Sequence, residues 1–173
     1  MKNDFEPLDD GSILVYLQQR DGEQFTTIID CGSLVKLQGI NRRWYAAKMH
    51  SGIQVVARSD SPNGRLMYLS RVLAETPDEL YCEHINGDTT DNRLCNLRNV
   101  TVSERMQNRG LLRSNRTGIR GVSLNNKGKY VAQAQLNRQK YYLGLFEELE
   151  QAAAVVTAWR RRNMTHSEVD KVQ

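Results

Sequence analysis

The chain has 173 residues, 39% of them hydrophobic and 25% charged, with a formal net charge of +4; this suits one ordinary domain or two small ones and excludes wholesale disorder. No apolar run approaches the roughly 20 residues of a membrane span, and the acidic start Asp4-Phe5-Glu6 is unlike a secretory signal, so a cytoplasmic protein without a membrane partner is expected. The charge is uneven: residues 101–163 hold 12 Lys and Arg against 4 Asp and Glu, which makes the C-terminal part the expected polyanion-binding part, with nucleic acid as its partner.

Cys31, Cys82 and Cys95 are odd in number and lack the close CxxC pairs of a structural zinc site, so reduced thiols are expected, with Cys82 and Cys95 as buried structural ones. From the N-terminus, Ile13–Leu17 and Thr26–Asp30 are β-rich runs around the turn-like Arg20-Asp21-Gly22-Glu23, a hairpin pattern. Ser33–Leu37 is too short to predict a helix on its own. Strands are expected at Trp44–Lys48 and Ile53–Ala57, around His50-Ser51-Gly52, with His50 at the surface of that turn. Asp60-Ser61-Pro62-Asn63-Gly64 signals a turn before Leu66–Leu69, and Ser70–Glu75 is helical until Thr76-Pro77, because a residue before proline avoids the helical region.

The most informative stretch runs from Glu83 to Arg98. A carboxylate beside an imidazole, Glu83-His84, precedes Asn86, Gly87, Asp88, Asp91 and Asn92, which can bond their own main chain and hold a structured polar loop; Asn96-Leu97-Arg98 then returns to apolar sequence. Together with Tyr81-Cys82 before it and Asn99-Val100-Thr101 after it, this stretch resembles the central motif of phage-type HNH homing endonucleases. The resemblance implies a ββα-metal nuclease unit in which Glu83 is a metal ligand, His84 the general base and Asn96 the structural asparagine of the loop. It also implies Mg²⁺, or Mn²⁺, as cofactor and a phage protein in an infected bacterium.

Those residue types suit phosphodiester hydrolysis. Histidine, with an unperturbed pKa of roughly 6.5, can deprotonate water near neutral pH, and a hard cation takes oxygen ligands such as a carboxylate. The plainer alternative is a His84 that only hydrogen-bonds within its loop. Two positions depart from the family pattern. Arg105 stands where the helix after the motif usually presents Asn or His, and Leu69-Ser70-Arg71-Val72 stands where Leu-His-Arg-Leu is common. A guanidinium has donors only and cannot coordinate a cation. Three readings remain open: Asn108 reaches the metal, Arg105 itself supplies positive charge to the phosphate, or the site is catalytically degenerate.

Arg105, Arg109, Arg113, Arg116 and Arg120 recur every three or four residues. Gly110 and the Ser114–Gly118 cluster place the end of the helix near Arg109, followed by a basic arm that lies along phosphates, or by a solvated linker. Strands follow at Gly118–Leu124, Lys129–Leu136 and Lys140–Phe146, the second with strict alternation, and then an Ala-rich amphipathic helix from Glu148 to Arg162 whose Arg160-Arg161-Arg162 end suits the helix dipole. The residues Arg120-Gly121-Val122, Lys129-Tyr130-Val131-Ala132, Tyr142-Leu143-Gly144-Leu145-Phe146 and Glu150-Gln151-Ala152-Ala153 resemble the plant ethylene-response-factor (APETALA-type) DNA-binding domain. That resemblance implies a sheet entering the major groove with the helix behind it. Alternation predicts Tyr130, Ala132, Ala134 and Leu136 against the helix, and Gln133, Gln135, Lys140 and Tyr142 outward with Arg120, Ser123 and Asn125.

The expected architecture is therefore α+β: an HNH-like nuclease domain over residues 1–108 with its core motif at 66–108, a basic arm at 109–117, a three-stranded antiparallel sheet packed on one helix at 118–164, and a tail at 165–173. The expected function is metal-dependent hydrolysis of double-stranded DNA by a monomer or weak dimer. The rival expectation is a degenerate HNH protein acting as a DNA-binding or regulatory factor, with RNA binding behind both because outward aromatics are few.

Overall fold

The computed structural model describes residues 1–18, 23–49, 52–58, 64–111, 113–167 and 170; the expectations for Arg20-Asp21-Gly22, Asp60-Ser61-Pro62-Asn63 and His50 lie outside them. The protein is mixed α and β, with small antiparallel sheets, and divides into two compact units, Met1–Val100 and Thr101–Gln173. The division falls ahead of the boundary expected after Asn108.

In the first unit, β1 (Phe5–Pro7), β2 (Ser12–Gln18) and β3 (Gln24–Asp30) form an antiparallel meander. Alternation along β2 turns Ile13, Val15 and Leu17 into the core. Helix α1 (Cys31–Ile40) follows, longer than its apolar pattern indicates because it buries little beyond Ser33 and Leu37; Asn41, in the left-handed region at φ 50°, ends it by donating its N–H to the Leu37 and Gln38 carbonyls. A second meander comprises β4 (Tyr45–Met49), β5 (Gly52–Arg58) and β6 (Leu66–Tyr68), and leads into α2 (Leu69–Leu73).

The two meanders share one core. Ile13, Val15, Leu17 and Ile29 pack with Leu37, Trp44, Ala46, Val55, Ala57, Leu69 and Leu73, and Leu97 joins them from the last strand of the unit. Asn3 joins the meanders through its side chain, donating to the Tyr16 and Trp44 carbonyls at 2.8 Å each and accepting from the Trp44 N–H at 2.7 Å. The unit closes with a hairpin of β7 (Tyr81–His84) and β8 (Leu97–Val100), in which Glu83 faces Arg98 and His84 faces Leu97.

The second unit begins with α3 (Val102–Gln107), started by a capping box between Thr101 and Glu104. Strands β9 (Val122–Leu124), β10 (Tyr130–Leu136) and β11 (Gln139–Phe146) form an antiparallel sheet, and α4 (Leu149–Asn163) packs on one face of it around Val122, Ala132, Ala152 and Val156. The register slips between Ala132, which pairs with Gly144, and Gln133, which pairs with Tyr142. This bulge lets Leu143 and Tyr141 both face the helix, where Leu143 joins the core and Tyr141 packs on Trp159 as a tilted ring pair with centroids 4.8 Å apart.

The first strand is shorter than the sequence suggests, and the cause is Gly121. Its φ is +83° and a Cβ there would lie 2.5 Å from the Gln133 carbonyl oxygen and 2.8 Å from Val156, so the chain turns before β9 at a point where only glycine fits. Nor is residues 113–117 a plain arm: Asn115 Oδ1 accepts from the Thr117 and Gly118 N–H groups, and Thr117 Oγ1 donates to the Val122 carbonyl at 2.9 Å.

The C-terminal residues are similarly built in. Arg160, expected as part of the charged helix end that suits the dipole, is 6% exposed, and its Nε and Nη2 bond Asp170, itself 5% exposed, at 2.8 to 3.0 Å. Ser167 Oγ donates to the same carboxylate at 2.5 Å. Burial alone raises the Asp170 pKa, but the hydrogen bonds from Arg160 and Ser167 and the charges of Arg160 and Arg120 outweigh it and hold the carboxyl below its ordinary value.

Asp170→Ala leaves a buried guanidinium without its counter-ion and is expected to destabilise the second unit by about 3–5 kcal/mol, read as a lower denaturant midpoint. A depressed carboxyl stabilises the fold above its unfolded pKa and loses that contribution as pH falls through the folded one. The stability difference between wild type and Asp170→Asn should therefore be full at neutral pH and shrink on acidification below about pH 4. Gly121→Ala is expected to cost more than the roughly 1–2 kcal/mol of placing an L residue in the left-handed region, because its Cβ also meets the Gln133 carbonyl and Val156, read as a lower denaturant midpoint.

Candidate active site and nucleic-acid interface

The loop over residues 85–96 is held by side chains as well as by main-chain bonds such as Ile85 N–H to the Asn96 carbonyl at 2.8 Å. Asn96 Oδ1 accepts from the Asn86 N–H at 2.9 Å while its Nδ2 donates to the Asp91 carbonyl at 2.7 Å, pulling the two sides of the loop together. Asn86 Oδ1 takes the Asp88 N–H, and Asp88 takes the N–H and hydroxyl of Thr90. Asp91 is 6% exposed and receives Nε and Nη2 of Arg93 at 2.8 and 2.7 Å. The Arg93 hydrogen bonds hold the Asp91 carboxyl below its ordinary value, and those from Thr90 do the same for Asp88.

This loop is anchored to the first meander. Ile28 donates to the Thr90 carbonyl at 3.0 Å and accepts from the Asn92 N–H at 2.8 Å, and Leu94 N–H donates to Asp30 Oδ2 at 2.6 Å. Thr89 Oγ1 donates to the Ile53 carbonyl of β5 at 2.5 Å. Strands read from local pattern thus become the floor of the candidate site.

His84 ends β7, and the network around it decides where its protons sit. The Thr27 hydroxyl donates to the Thr90 carbonyl at 2.6 Å, so the same oxygen accepts from Asn92 Nδ2 at 2.9 Å; that amide nitrogen also donates to the Thr89 carbonyl at 3.1 Å. Both partners of Nδ2 are acceptors, which orients the Asn92 amide and turns Oδ1 toward His84 Nε2, 3.1 Å away. A ring nitrogen opposite a carbonyl oxygen must carry hydrogen, so Nε2 is the N–H of the neutral ring and Nδ1 holds the lone pair. Asn92 is 1% exposed and Thr27 also 1%, whereas His84 is half-buried, so buried side chains orient a partly exposed ring.

Glu83 is placed differently. Successive residues of a strand point to opposite faces, and Glu83 makes an ion pair with Arg98 across the hairpin at 3.1 Å, the two side chains being only 12% and 18% exposed. The carboxylate expected as a metal ligand is thus already neutralised by a fixed guanidinium. A dication needs several hard oxygens with uncompensated charge, and Glu83 as arranged does not fit that need. Upstream, Ser70 is buried, and Arg71 donates to the Leu80 and Pro77 carbonyls at 2.7 and 2.9 Å, shaping the turn that leads into β7. Cys82 is half-buried with its thiol pKa raised by burial, while Cys31 and, against expectation, Cys95 are exposed free thiols.

Arg105 and Asn108 belong to the second unit, on α3 and at its C-terminal end; Arg105 is exposed and Asn108 half-buried. Arg109, Arg113 and Arg116 are exposed. On the sheet, Ser123, Gln133, Gln135, Lys140 and Tyr142 are exposed on the side away from α4. Two residues expected with them are used inside the unit. Arg120 donates to the Met106 carbonyl at 3.0 Å and to that of Gln107, while its own carbonyl accepts from Arg160; burial lowers its pKa. Asn125 Oδ1 takes the N–H groups of Lys127 and Lys129 at 2.9 and 3.0 Å and shapes the turn after β9.

Compared with protein-family models, with curated proteins and with solved structures, the chain gives no match in any of the three. The site therefore rests on its own geometry. Sequence reasoning missed Thr27 and Arg98 as site residues and saw Asn92 only as a loop former. An Asn eight residues after a histidine carries no general signal, and Thr27 is 57 positions away from His84 in the numbering.

Thr27→Val keeps the shape but takes one acceptor from the Asn92 side-chain amide and one donor from the Thr90 carbonyl, which is expected to cost about 1–3 kcal/mol of stability. Thr27→Ser should restore most of it, with both effects read by thermal unfolding of the full chain.

Proposed function

We propose that this chain acts on double-stranded DNA, its second unit binding the duplex and its His84 serving as general base in an HNH-type phosphodiester hydrolysis. The observation that carries the catalytic part is the Asn92-fixed tautomer. In it Nδ1 is available to take a proton from water as the water oxygen bonds to phosphorus, and the leaving sugar oxygen departs with the former P–O electron pair and is protonated from solvent. Support for the binding part is the excess of 12 Lys and Arg over 4 Asp and Glu in residues 101–163, a charge that attracts a polyanion without reading its sequence.

A second reading, a DNA-binding factor whose nuclease unit does not cut, is favoured by the Glu83–Arg98 ion pair. It is also favoured by Arg105 at a position where a metal-binding side chain would be needed.

The test is incubation of the full chain with supercoiled plasmid, and with phage and host duplex DNA, in Mg²⁺, in Mn²⁺ and in chelator. Under the catalytic reading wild type cuts in Mg²⁺ or Mn²⁺ and not in chelator. His84→Ala should then lose about 10²-fold or more of the rate while shifting DNA on a gel as wild type does. A wild type that shifts DNA but never cuts it establishes the second reading, and cleavage gained by Arg105→Asn identifies the degenerate position.

A further inference from the structure

We infer that the outward face of the β9–β10–β11 sheet reads A·T base pairs in the major groove and is not a guanine reader. This deepens the duplex-binding half of the proposed function and rests on it. The bidentate guanine contact is made above all by arginine, whose fork spans O6 and N7; glutamine and asparagine make the matching pair of bonds to adenine N6 and N7, and apolar side chains meet the thymine methyl.

Of the second unit's arginines, Arg120 and Arg160 are taken up inside the fold, and Arg138 stands in the β10–β11 turn, outside the strand rows proposed to meet the bases. Arg120 is spent on the Met106 and Gln107 carbonyls and Arg160 is buried against Asp170, while Lys129 pairs with Glu147 at 2.5 Å. What the sheet presents outward is Ser123, Val131 and Leu145 in one row, Gln133 opposite Tyr142 in the next, and Gln135 opposite Lys140 in the third. Leu145 is 45% and Tyr142 69% exposed, a large apolar and aromatic allowance for a face that also carries two exposed carboxamides. Lys140 is the cation of that face among the described residues, and it lies beside the Asn137-Arg138 turn at the sheet's end, where an ammonium suits a phosphate as a point charge.

The spacing is also suited to base steps. Gln133 and Gln135 are two residues apart on one strand face, about 6.8 Å, which equals about two base-pair steps of 3.4 Å. Two carboxamides so placed suit adenines separated by one intervening base, with thymine methyls meeting Tyr142, Val131 and Leu145. The bulge at Ala132/Gln133 keeps Tyr142 beside Gln133 while turning Leu143 inward, so the two readers of the middle row depend on it.

The experiment is selection of duplexes from a random library by the full chain in chelator, followed by affinity measurement on the recovered site. The expected result is an A·T-rich consensus with adenines at i and i+2. Replacing those adenines by 7-deazaadenine, or Gln133 or Gln135 by Ala, should weaken binding by roughly 5-fold or more, and replacing thymine by uracil by about 4-fold per lost methyl contact. Gln133→Arg should shift the preference at one position toward guanine. A G·C consensus, or a consensus unchanged in Gln133→Ala and Gln135→Ala, overturns the inference. Tight binding with no preference overturns it too, but leaves the duplex-binding reading standing, whereas failure to bind any duplex removes both.

Discussion

The first unit depends on the orientation of one buried amide. Asn92 has its nitrogen between the Thr27 hydroxyl and the Thr89 carbonyl and its oxygen on the His84 ring, so β3, the loop and the end of β7 are held by a single side chain. Its main-chain N–H adds a bond to Ile28. A buried polar group that satisfies all its partners rigidifies what it touches, and one left unsatisfied is costly. The two meanders of the first unit therefore do more than supply apolar area, since they hold the loop still enough for an imidazole to have one defined tautomer and one defined direction.

In the second unit the organising interaction is the buried Arg160–Asp170 pair. Breaking such a pair leaves an uncompensated charge in a low-dielectric place, and here the pair also fastens residues after α4 to the helix and, through the Arg120 carbonyl, to the turn before β9. It thereby sorts the cations. Arg120 and Arg160, which composition alone would assign to DNA, serve the fold, and the exposed sheet is left with carboxamides, a tyrosine, aliphatic groups and Lys140. In the proposed function, net charge would draw the unit to a polyanion, while the outward sheet face is mostly neutral.

The Glu83–Arg98 pair sets the tension within the functional reading. The imidazole proposed as base is oriented by Asn92, yet the acidic neighbour that a cation would need has a guanidinium on it. Both observations belong to one hairpin and follow from one register, because pairing Glu83 with Arg98 is what puts His84 opposite Leu97 at the end of the strand. A shift of one residue would move every side chain of the hairpin to the other face, so the histidine's placement and the carboxylate's neutralisation come together.

Much of the fold was legible locally. The β2–β3 and β4–β5 pairs, α2 ending before Thr76-Pro77, the alternation of β10 and the apolar stripe of α4 are short-range patterns, and so is the loop of Asn and Asp residues bonding their own backbone. Other features needed the tertiary structure. Helix α1 is hidden because it buries so few residues, and β9 is shortened by a carbonyl and a valine that approach Gly121 from elsewhere in the unit. Arg120 and Arg160 look like solvated cations until their partners are known. Sequence by itself determined which residue types stand at His84, Asn92 and Asn96 and where basic charge accumulates, since those are written residue by residue. Only the tertiary structure decided that Thr27 orients the Asn92 amide, that Arg98 neutralises Glu83 and that Asp170 draws Arg160 inward, because hydrogen bonds and ion pairs form between groups that folding brings together, whatever their separation along the chain.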